Sequence, residues 1–96
     1  MKLTDLIYEK MKKSPYLRDS DKDLYLAVCS ELNPSALYKP FHKVMFDLKS
    51  YGLPSIETVT RLRRKVQAEH PEVRPSDQVA EWRAAKEEMA RQGIYA

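Results

Sequence analysis

Four of the five residues Arg61–Leu62–Arg63–Arg64–Lys65 are cationic, and three hydroxyls, Ser55, Thr58 and Thr60, stand just before or beside them. Guanidinium and ammonium groups at this density suit contact with phosphate oxygens. Arginine adds a two-pronged hydrogen bond to guanine O6 and N7. The plain alternative is a solvated helix face, neutralised at i,i+4 by Glu57 toward Arg61 and by Glu69 from Lys65. On a wheel of about 100° per residue, Ile56, Val59, Leu62 and Val66 fall within one arc. Glu57, Arg61, Arg64 and Ala68 lie opposite, with Lys65 beside them and Thr58 and Thr60 on the flanks. Arg63 projects near the border of the apolar stripe and is expected to lie along it through its methylenes.

The preceding residues give this face a setting. A helix ending near Gly52, the turn Leu53–Pro54–Ser55 and a second amphipathic helix follow the plan of a helix-turn-helix over about residues 40–70. In that plan the second helix enters the major groove with its first residues toward the bases. Ser55, Thr58, Thr60 and Arg61 would then position or read, and Arg64 and Lys65 would meet phosphates. Lys43 and Lys49, on the helix before, would add backbone contacts. Two features resist the plan. The first buried residue of the second helix arrives one position late, at Val59 instead of Thr58. Glu57 also places a carboxylate on the reading face, where it repels phosphate unless it accepts from a cytosine amino group. Double-stranded DNA is the expected partner. A homodimer suits the motif, since two half-sites add affinity, but the sequence displays no dimer seam.

The elements that must carry this face read as five helices in one all-α domain spanning residues 1–96. Leu3, Leu6, Ile7 and Met11 recur at helical spacing, and the run ends near Ser14 because Pro15 follows. Ser20 or Asp21 caps a second helix with Leu24, Val28, Cys29 and Leu32 inward, stopped at Asn33–Pro34. A third opens near Ser35 or Pro40 and runs to Gly52, with Phe41, Val44 or Met45, Leu48 and Tyr51 as its stripe. Ser55 caps the fourth, which Pro71 closes. Ser76 caps the last, which buries Val79, Trp82, Ala85 and Met89, carries Arg83–Glu87 and Glu87–Arg91 pairs, and frays after Gly93. No stretch reads as a strand, so the expected architecture is a compact bundle of about five helices.

Other chemistries find little purchase. Both glycines are isolated, so no phosphate-cradling loop exists. His42 and His70 share no metal-ligand spacing with other donors, and His70 reads as a helix-end cap. Asp19, Asp21 and Asp23 alternate like a calcium loop without its glycine and terminal glutamate. Neither an enzyme, a cofactor nor a metal is expected. The lone Cys29 forbids an intrachain disulfide and points to a reducing cytoplasm. Membrane association is not expected, because no apolar run nears the ~20 residues of a spanning helix and acids interrupt the first helix. The net charge of +3 permits phosphate binding without demanding it. Six tyrosines are many for this length, at positions 8, 16, 25, 38, 51 and 95. Most are expected to be half-buried, and Tyr25 and Tyr38 to form an exposed pair suited to a protein partner. Trp82 reads as a core plug for the last helix.

The stretch RDSDKDLYLAV, followed by LPSIETVTRLRRKVQAEHPEVRPS, resembles a family of small proteins from phages and prophages of Gram-positive bacteria. These combine an N-terminal helical pair with a Leu-Pro-Ser helix-turn-helix-like element. The resemblance covers roughly residues 3–80 and is most specific at 53–76. It implies a phage-encoded protein of the host cytoplasm, of the genome-control or host-takeover type, and brings no established active site. It implies nucleic-acid contact for the basic and hydroxyl residues of the 55–65 segment. Short phage proteins on such scaffolds also inhibit host machinery, anti-CRISPR proteins among them. The alternative expectation is therefore a host or Cas protein partner, held through Tyr25, Tyr38, Arg61 and Arg64.

Overall fold

Serines open three of the helices and prolines begin the tight turns between them. The computed structural model describes residues 2–93, which form α1 (Leu3–Lys13), α2 (Asp21–Leu32), α3 (Phe41–Phe46), α4 (Ile56–Glu69) and α5 (Asp77–Arg91). Ser20, Ser55 and Ser76 each accept from the backbone N–H three residues on, at 3.2, 3.1 and 3.4 Å. Such caps are worth about 1 kcal/mol apiece. Pro15, Pro34 and Pro71 start single 3-10 turns, where a missing N–H costs nothing. The described residues form an all-helical fold without strands, as expected.

The core forms where α1, α2 and α4 meet. Leu6, Ile7 and Met11 of α1, Leu24, Val28 and Cys29 of α2, and Val59 and Val66 of α4 are buried together. Val44 of α3 joins them, and Leu17, Ala36, Leu53 and Val73 close the cluster from the connecting segments. A fully buried Ile, Leu, Val or Met contributes about 1.5–3 kcal/mol, so this small set carries much of the driving force for folding. Leu32 and Ile56, both expected inward, lie at the ends of their stripes and are exposed.

Two expectations about the elements are corrected. The third helix does not run to Gly52: α3 stops at Phe46, and Leu48–Tyr51 forms a separate 3-10 turn. A six-residue helix without a capping side chain has no reserve of its own and follows its tertiary contacts. Those contacts bend it. Asn33 Nδ2 at the end of α2 donates to the Tyr51 carbonyl at 3.0 Å, and Leu53 N–H donates to the Leu48 carbonyl at 3.0 Å. Gly52 closes the turn at φ 68°. Val44 is buried and Met45, Leu48 and Tyr51 partly so, while the Phe41 side chain lies outside what is described.

The last helix is the second correction. Trp82 is not a core plug but 61% exposed, and Ala85 and Met89 are exposed too. Val79 alone of the expected stripe is partly buried. The helix is held instead by polar contacts along its first half: Ser76 N–H donates to Asp19 Oδ1 at 2.7 Å, and Arg83 Nη1 donates to the Arg18 carbonyl at 3.2 Å. Among the described residues, no helix is long and apolar enough to cross a membrane.

Candidate nucleic-acid interface

The four cations of residues 61–65 divide sharply. Arg63 turns inward and is only 5% exposed. Its Nε and Nη2 donate to the two Asp21 carboxylate oxygens at 2.8 and 3.1 Å, and its Nη1 donates to Gln67 Oε1 at 3.2 Å. Gln67 Nε2 in turn donates to the carbonyls of Arg18 and Val73, both at 3.1 Å. The network ties α4 to α2 and to the turns on either side, and no described buried side-chain polar atom lacks a partner. The wheel placed Arg63 at the stripe, and a buried guanidinium requires a carboxylate. That requirement was a usable signal, but it could not single out Asp21 among fourteen acids.

Arg61, Arg64 and Lys65 point outward and are exposed. Among the described residues none of the three has an acidic partner within 4.0 Å, so the pairs with Glu57 and Glu69 expected from spacing do not form. The Arg83–Glu87 and Glu87–Arg91 pairs are likewise absent. Arg83 turns toward Asp21 and Arg91 pairs with Glu88.

The hydroxyls are partly committed. Ser55 Oγ caps α4 and lies 2.9 Å from Thr58 Oγ1, which leaves these two half-buried and bonded to each other. Thr60 is half-buried beside Arg61, Arg64, Ile56 and Glu57 in a shallow cleft. Lys43 on α3 and Lys49 on the following turn are exposed, with no described bond joining them to the α4 cations. The chief packing partners of α4 are α1 and α2, so α3 is not the supporting helix that the 40–70 reading expected.

The expected tyrosine pair is corrected. Tyr25 is 7% exposed, and its hydroxyl donates to the Pro54 carbonyl at 2.9 Å, bracing the turn that leads into α4. Burial, then its hydrogen bond with the Cys29 thiol, pushes the phenol up to about 12. Burial likewise raises the Cys29 thiol. Tyr38 is 90% exposed and Tyr16 exposed, while Tyr95 lies outside the described residues. Tyr8 donates to Glu72 Oε1 at 2.7 Å and stacks on His70 with ring centroids 4.3 Å apart. That hydrogen bond raises the Tyr8 phenol and holds the Glu72 carboxyl low. The His70 backbone N–H donates to the Val66 carbonyl at 2.8 Å, so the residue caps the end of α4 as expected, while its ring stacks on Tyr8 and faces Glu72, with Nδ1 3.3 Å from Oε1. No cluster of three metal-binding side chains occurs among the described residues.

A cleft of about 290 Å³ opens between α4 and α5, lined by Asp21, Arg63, Arg64, Trp82, Arg83, Lys86 and Glu87. The Lys86 ammonium sits 4.9 Å from the Trp82 ring centroid. Burial and the neighbouring Arg63 pull the Arg83 guanidinium below its ordinary value, against Asp21 and Asp19. No known protein family, curated protein or solved structure matches this chain.

Proposed function

We propose that this chain is a small regulatory DNA-binding protein, phage-encoded as its sequence resemblance implies, which holds duplex DNA on the outward face of α4. The observation that carries the reading is the unpaired state of Arg61, Arg64 and Lys65 on one side of a firmly seated helix. Cations without protein partners keep their full charge for phosphates, whereas Arg63, already neutralised, serves the scaffold. Arg61 stands nearest the helix start and is the base-reading candidate, with Thr60 alongside. Ser55 and Thr58 act mainly by fixing that start, and Lys43 and Lys49 extend the field.

Two phosphate contacts, Arg64 and Lys65, change the salt slope by about 1.8, so affinity should fall ~12-fold between 50 and 200 mM salt from these residues alone. Fluorescence anisotropy of a labelled duplex across that range tests it. The Arg61→Ala/Arg64→Ala/Lys65→Ala variant should lose that part of the slope while Arg18→Ala, away from the face, keeps it. Absence of salt-dependent binding below ~10 μM at low salt overturns the proposal.

A second reading, a protein-binding inhibitor of a host defence or replication protein, is favoured by one observation, the 90% exposure of Tyr38. Nuclease-resistant capture of a host protein, lost on Tyr38→Ala or on charge reversal at Arg61 and Arg64, would replace the first reading with this one.

A further inference from the structure

Trp82 is the only tryptophan of the chain, and it stands in water. It forms part of the wall of the cleft between α4 and α5, where Arg64, one of the unpaired cations of the α4 face, is also found. Lys86, one turn after Trp82, keeps its ammonium over the indole. The cleft is cationic on balance. Asp21 is occupied by Arg63, and Arg83 leans on Asp21 at 3.9 Å and on the Arg18 carbonyl. Arg64 and Lys86 are then opposed by Glu87 alone among the lining carboxylates. At about 290 Å³ the space lies at the lower edge of the ~300–1,000 Å³ typical of small-ligand sites.

An accessible indole between unpaired cations has a use that intact duplex does not exploit, because paired bases hide their faces. We infer that the cleft takes an unpaired base of single-stranded nucleic acid, stacked on Trp82 with its flanking phosphates on Arg64 and Lys86. This rests on the proposed function and narrows it: the phosphate path that runs over Arg64 continues onto α5 and ends at an opened strand. Stacking on an aromatic side chain is sequence-tolerant, so the site selects strandedness and not a base.

The sole tryptophan is its own reporter. Titration of the full chain with a thymidine oligonucleotide of about 20 nucleotides should quench Trp82 emission at saturation. Trp82→Ala should weaken single-strand binding by about 5- to 150-fold and leave duplex binding within ~2-fold. Trp82→Phe should recover part of the loss. Arg64→Ala/Lys86→Ala should weaken single-strand binding with a reduced salt slope. Because Trp82 is exposed, these variants should keep the wild-type circular dichroism and melting temperature. If duplex binds normally while Trp82 emission stays unchanged and Trp82→Ala has no effect on single strand, the stacking inference falls and the proposed function stands. If neither nucleic acid binds, both fall. If Trp82 emission responds instead to protein concentration, α5 covers itself with a second copy and the inference is overturned.

Discussion

Asp21→Asn removes one negative charge and keeps the shape of the side chain, which isolates the electrostatic role of the Arg63 pair. The guanidinium side is 6% exposed and the carboxylate side 30%. Breaking a buried pair by neutralising one partner costs about 3–5 kcal/mol, chiefly because the survivor is left charged and dry. Three features place this case at the lower end. Asparagine retains one acceptor for Nε or Nη2, Gln67 still accepts from Nη1, and partial exposure at position 21 admits water. One feature adds to the cost: residue 21 stands in the first turn of α2, where a negative charge is worth about 0.3–1 kcal/mol. The expected loss is about 3 kcal/mol, a large share of the ~5–15 kcal/mol of a typical domain. At ~4–8 °C per kcal/mol for a domain of this size, melting should fall by about 12–24 °C. Arg63→Met should cost less, about 1–2 kcal/mol, since the freed carboxylate can hydrate and a thioether fills the core. The double variant should be no worse than Asp21→Asn alone, giving a coupling of at least ~1 kcal/mol. Urea titrations of the four proteins measure all of this. An Asp21→Asn loss below ~0.5 kcal/mol would mean that the guanidinium is hydrated, and the account of how α4 is seated would be wrong.

Tyr25 should ionise near pH 12 in a spectrophotometric titration, and Tyr25→Phe should delete that step. Because its folded value lies above the unfolded value near 10, its contribution to stability is complete below pH 10 and is lost as pH rises toward 12. Unfolding midpoints that do not decline over that window in the wild type relative to Tyr25→Phe would refute the burial argument. Gly52→Ala has open space around the new methyl group, so only the backbone penalty of φ 68° remains, about 1 kcal/mol by urea denaturation. Asp19→Ala frees the Ser76 N–H and should speed amide exchange along α5 while the amides of α1, α2 and α4 keep their protection. Uniformly faster exchange would show α5 to be part of the main cooperative unit.

Much of this architecture is written locally. Ser20, Ser55 and Ser76 cap their helices because a hydroxyl reaches an N–H three residues away in any chain, and Pro15, Pro34 and Pro71 stop helices by the geometry of their own rings. The inward stripes of α1 and α4, and the outward placing of Arg61, Arg64 and Lys65, follow from helical periodicity alone. Periodicity reports which face is apolar and is silent on whether another element arrives to cover it. The stripe of α5 reads like that of α1, yet Trp82 stays in water because no described segment packs over it. The same limit applies after α3, where the Leu48–Tyr51 turn is tied to Asn33 at the end of α2. It explains Tyr25 as well, off the stripe by spacing but buried because the Pro54 turn folds over it. Partner choice among charges is equally nonlocal: helical spacing offered Glu57 and Glu69 to the α4 cations, and the fold joined Arg63 to Asp21, forty-two residues away. Local rules reach about one helical turn, and beyond that distance only the path of the folded chain determines which side chains meet.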